Sequence, residues 1–155
     1  MTDAELALFH DSLTGCTSHP QFLERFYALF VASSGEVRHK FSRTDFQKQR
    51  RLLEASFYLV MLEADGKPEG SVHFERIAAL HSQAHRDIPP RLYDLWLDCL
   101  VHAVRESDPQ WTPETERLWR RMMANGIAFM KTRYHAEAEP HKPQTSGIAA
   151  PREMP

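Results

Sequence analysis

Phe74-Glu75-Arg76-Ile77-Ala78-Ala79-Leu80-His81 places Phe74, Ile77, Ala78 and His81 on one helical stripe, and Ile88-Pro89-Pro90 follows shortly after. Apolar residues recurring every three or four positions mark the buried face of a helix. Consecutive prolines cannot continue one, because each lacks a backbone donor and clashes with the preceding turn. The spacing therefore predicts a helix over about Val72 to Ser82, with a histidine near its end.

On the upstream side, Ala64-Asp65-Gly66-Lys67-Pro68-Glu69-Gly70 reads as a solvated loop. Before it, Thr44-Asp45 caps a helix that runs to about Leu62. Its latter half, Leu52 to Leu62, is apolar nearly all round apart from Glu54 and Ser56, which predicts burial on several sides. Downstream, Arg91 to Glu106 presents Leu92, Leu95, Trp96, Cys99 and Ala103, and Asp108-Pro109 interrupts it. Thr112-Pro113 then starts a helix to about Tyr134, with Trp119, Met122, Met123, Ile127 and Met130 inward. At the other end, Thr2-Asp3 caps a helix carrying Leu6, Phe9 and Leu13, which the stretch Gly15 to Pro20 breaks. Pro20 opens a second helix with Phe22, Phe26 and Phe30 in register, ended by Ser33-Ser34-Gly35, and a turn-rich stretch leads to Phe41. Six helices and no strands make an all-α chain. His135 to Pro155, rich in Pro, Ala and Glu and without period, reads as a disordered tail after a domain over residues 1–134.

Composition narrows the function classes. Nineteen basic against 21 acidic residues in 155 give a formal net charge of -2, which offers no basic surface for nucleic acid. No run approaches the ~18 apolar residues of a membrane span. Asp3 and Glu5 stand where a signal peptide would carry basic residues, and Cys16 and Cys99 form no CxxC pair, so the expected setting is the cytoplasm. His81 and His85 have HxxxH spacing, but Ser82 stands where a zinc protease needs Glu. Glu36-Val37-Arg38-His39 is a single ExxH, and a di-iron bundle requires two. Phosphate loops and a GxSxG nucleophile are absent from the sequence.

Three segments together resemble the globin family, in particular single-domain bacterial globins of the flavohaemoglobin-like or sensor-like kind. Phe26-Tyr27-Ala28-Leu29-Phe30 is similar to an aromatic second helix that leads, 14 residues after Tyr27, to the phenylalanine stacked on the porphyrin, here Phe41. Gln49, eight residues beyond Phe41, falls at the distal gate, and Leu53 lies one turn further on. Phe74 to His81, followed by Ile88-Pro89 and Tyr93, resembles the proximal helix, and the 32 residues from Gln49 to His81 suit the bacterial pattern. His81 fits better than His85, because Ile77 supplies the hydrophobe four residues earlier.

The resemblance implies a globin fold enclosing a non-covalent haem b, since no CxxCH is present. His81 is then the iron ligand, oriented by giving its other N–H to a carbonyl one turn back, at the Ile77 offset. Phe41, Leu53, Ile77, Ile88 and Tyr93 would line the haem, with His85 at its edge and Arg43 and Arg86 as further propionate partners. Tyr27 and Gln49 would stabilise a bound gas. The implied activity is reversible binding of O2, CO or NO. Redox or NO-dioxygenase chemistry with an external reductase, and a haem-free partner-binding module, are the alternatives. A homodimer is left open.

Overall fold

The Thr2 hydroxyl accepts from the Glu5 amide at 3.2 Å, and the Glu5 carboxylate accepts from the Thr2 amide at 2.8 Å. This reciprocal cap starts α1 (Asp3–Ser18) where expected. In this computed structural model, which describes residues 1–135, six more helices follow. They are α2 (Phe22–Ser33), α3 (Gly35–Lys40), α4 (Phe46–Ala64), α5 (Pro68–His81), α6 (Arg91–Ser107) and α7 (Pro113–Arg133). No strand occurs among the described residues. The proposed tail, apart from its first residue His135, lies outside them.

Four details differ from the sequence reading, each for a local reason. Helix α1 continues through Gly15, where a Cβ would lie 3.3 Å from the Pro109 ring. The glycine permits close approach to the α6–α7 corner instead of breaking the helix. The turn-rich stretch before Phe41 contains a seventh helix, because Ser34 caps it by accepting from the Val37 amide at 3.1 Å. Pro68 and Gly70 belong to α5, and only 65–67 connect it to α4. Proline suits the first helical turn, where its missing N–H costs nothing. Gly70 is buried against the Glu63 backbone, so closely that a Cβ there would overlap it. Finally, only Phe57 of α4 is buried, and Leu52 and Tyr58 remain 52% and 40% exposed. Helix α4 packs mainly against α5 and less against α7 and α1, so part of its apolar surface stays uncovered.

Trp119 of α7 is the centre of the core. Its fully buried ring lies 4.6 Å from Phe9, 5.4 Å from Phe57 and 6.4 Å from Phe22, tying together α1, α4 and α2. Its indole N–H donates to the Ser12 hydroxyl at 2.9 Å, and that hydroxyl donates to the Asp108 carboxylate at 2.6 Å. A polar chain among buried groups is thereby satisfied. Cys16 is buried and Cys99 half-buried, and both are free thiols. Gly126 of α7 admits the Phe74 ring of α5, 3.1 Å from where a Cβ would stand. That contact seats the helix that ends in His81.

Candidate functional site

The His81 imidazole closes α5, with Nδ1 2.8 Å from the Ile77 carbonyl oxygen. A carbonyl only accepts, so Nδ1 carries the proton and the lone pair resides on Nε2. Burial pushes the imidazole below its ordinary pKa. The hydrogen bond to Ile77 works against this, and the Arg86 charge adds to it. The ring is therefore neutral and oriented, as a metal-ligating imidazole must be. Among the described residues no three His, Cys, Asp or Glu side chains converge on one point.

The corner after α5 is tied down by its backbone. Arg86 N donates to Leu80 O at 3.2 Å, Asp87 N to Ser82 O at 2.9 Å, and Ile88 N to His81 O at 3.1 Å. Asp87 adopts a φ of 50°, the left-handed region that costs a side chain energy. Its carboxylate accepts from the Tyr134 hydroxyl at 2.6 Å, and the Tyr134 carbonyl accepts from Gln83 N at 3.0 Å. The end of α7 thus clamps the corner. Tyr93 is buried with its ring 6.4 Å from His81, and burial pushes its phenol up to about 12. Ile77 and Ile88 are half-buried. His85 lies in the exposed corner beyond the end of α5, and not one turn further along the same helical face. Arg43 and Arg86 are exposed.

A second group forms where α2 faces the start of α4. Tyr27 is buried, and its ring lies 4.7 Å from Phe26, 5.8 Å from Phe41 and 5.5 Å from Phe46. Phe41 and Phe46 stack at 6.0 Å. Burial pushes the Tyr27 phenol up to about 12, while hydrogen bonding to the Gln49 side chain and the Arg50 charge oppose it. The hydroxyl stays protonated and can donate. Gln49, Arg50 and Leu53 are all half-buried. The structure thus brings Tyr27 and Gln49 together, and it adds Phe46 and Arg50, which the sequence reading left out. Their signal was positional, since both share the helical stripe of Gln49 and Leu53. Two surface concavities, one near Leu6 and Met61 and one near Ser12 and Thr115, lie away from both groups.

The family description Globin matches residues 24–130, which span α2 to most of α7. The chain belongs to the globin family. A crystal structure from Pseudomonas aeruginosa PAO1, of a protein described as structurally highly homologous to a human hemoglobin, superposes on this globin with a TM-score of 0.79. The two are 38% identical, over 84% of this chain and 98% of that one. No curated protein matches the globin. Its seven helices over the described residues are those of an all-α globin fold, and none is long and apolar enough to cross a membrane.

Proposed function

We propose that this globin binds haem b non-covalently, with His81 Nε2 as the iron ligand, and reversibly takes up a diatomic gas such as O2, CO or NO. The observation that carries the reading is the His81 imidazole. It is half-buried and neutral, with Nδ1–H committed to Ile77 O at 2.8 Å, and Nε2 makes no hydrogen bond among the described residues. That donor chemistry fits a haem iron. The bound group would supply an open metal position for the gas.

The chain's own residues do the rest. Ile77, Ile88, Leu53, Phe41 and Tyr93 supply apolar wall, and each is half-buried or buried. An apolar wall keeps water from competing for the site. Tyr27 and Gln49 offer a hydroxyl and an amide as donors to a polar ligand, and the raised Tyr27 pKa keeps its proton in place. His85, exposed at the corner, and the cations Arg43 and Arg86 are suited to the carboxylates of a haem edge. We place the protein in the cytoplasm, in keeping with its two free thiols.

The test is an absorption spectrum of the purified protein supplied with haem, in the ferric, ferrous and CO-treated states. A Soret band that shifts with each state and is retained through gel filtration is expected. Haem that elutes apart from the protein would overturn the proposal and favour a haem-free, partner-binding globin.

A further inference from the structure

Phe46, Gln49, Arg50, Leu53 and Phe57 recur at helical spacing along α4, and each is half-buried or buried, whereas Gln47, Lys48 and Arg51 are exposed. A guanidinium thus interrupts an otherwise inward stripe. Glu54 stands four residues on, the spacing at which Arg and Glu pair along a helix. Such pairs do form elsewhere, as between Arg120 and Glu116 at 3.0 Å. Arg50 makes no ion pair or side-chain hydrogen bond among the described residues. Its charge instead reaches the buried Tyr27 hydroxyl, where it lowers the phenol pKa against the effect of burial. Arg50 thus lies without a carboxylate partner on the helical face it shares with Gln49 and Leu53, the face on which Phe46 packs 5.5 Å from the Tyr27 ring.

We propose that Arg50 is the specificity-determining residue of the distal side, favouring small monoanions of the azide and nitrite class over neutral ligands. The inference rests on haem being held at His81. An anion there would receive hydrogen bonds from Tyr27 and Gln49 and would also meet a unit positive charge, whose reach is long where water is partly excluded.

The ferric protein is titrated with sodium azide and with imidazole at neutral pH and low salt, each followed by the Soret shift. The azide-to-imidazole affinity ratio falls about tenfold in Arg50→Gln, the order that one unit charge several ångströms away supports. It stays near the wild-type value in Arg50→Lys, which keeps the charge, and in Arg51→Gln, which removes an exposed one. If Arg50→Gln does not fold, Arg50→Met carries the same comparison. The infrared stretch of carbon monoxide added to the ferrous protein reads the local field independently, and it rises in the neutral variants. An equal loss in Arg51→Gln would show a general field effect and overturn the proposal. Loss of haem from Arg50→Gln with an unchanged ratio would make Arg50 a partner of haem carboxylates, and would overturn it too. A wild type that takes up no haem sinks the haem reading together with this one. A haem-loaded wild type whose ratio ignores Arg50 sinks this one alone.

Discussion

The corner after α5 and the start of α4 are held by different means. Around His81 the restraints are mostly backbone bonds, with the Tyr134–Asp87 clamp added from α7. Around Tyr27 they are aromatic packing, one amide and one guanidinium, all side chains. A backbone-held corner keeps its shape through most substitutions, so under the proposed function the iron-ligand side would be constant. A site made of side chains changes character with one residue, so under that proposal the Tyr27 side is where gas binding would be tuned. Both walls depend on the crossing of α4 and α5, where Gly70 meets Glu63.

That crossing gives the largest expected effect. Gly70→Ala forces a Cβ into the Glu63 backbone, and overpacking of this kind costs roughly 1–3 kcal/mol or more. Thermal unfolding should show a clear drop in Tm, with both haem retention and ligand rates disturbed together. A normal Tm would mean that the helices separate easily there, and that the two sides are less coupled than their shared crossing implies.

Tyr27→Phe separates the sides. It removes the buried hydroxyl from the Tyr27–Gln49 pair, and O2 affinity should weaken by roughly 1–3 kcal/mol, the range for losing a buried hydrogen bond to a polarised acceptor. The change should be read mainly as faster O2 dissociation, with CO, a less polar ligand, affected far less. Haem retention should not change, because the His81 corner is untouched. An unchanged O2 off-rate would show that the hydroxyl serves packing alone.

Tyr134→Phe probes the corner with the smallest perturbation. It deletes the 2.6 Å hydrogen bond to Asp87 while the backbone bonds remain, including Gln83 N to Tyr134 O. The hydrogen bond is exposed to water, so the stability loss should be small. Faster amide exchange at Asp87 and Ile88 would report the loosened clamp. Exchange unchanged there would mean that the backbone bonds alone hold the left-handed Asp87.

How legible each side was in the sequence follows from the same difference. His81, Ile77 and the Ile88-Pro89 stop lie within one short segment, and the Nδ1–Ile77 bond is a consequence of helical spacing that a reader can count. Tyr27 and Gln49 were named together through the globin resemblance, which places them relative to Phe41. Arg50 was not, because a charged residue in a polar run reads as a solvated face until the stripe through Phe46 and Leu53 is set against its neighbours. Pro68-Glu69-Gly70 read as loop because proline and glycine serve both turns and helix starts, and only the tight Glu63 contact distinguishes them here. The apolar half of α4 suggested burial on several sides. Hydropathy counts the apolar residues of a helix but not its neighbours, and those of α4 leave Leu52 and Tyr58 uncovered.

The central claim is that His81 supplies the iron ligand, and the most direct measurement is haem binding by His81→Gly with and without imidazole in the buffer. The account predicts that the variant folds but loses its Soret band on gel filtration, and that imidazole entering the vacated space restores it. The matched variant His85→Gly should keep its haem throughout, since that residue is exposed beyond the end of α5. Haem retained by His81→Gly without imidazole and lost by His85→Gly would contradict the account, and would move the ligand to the corner.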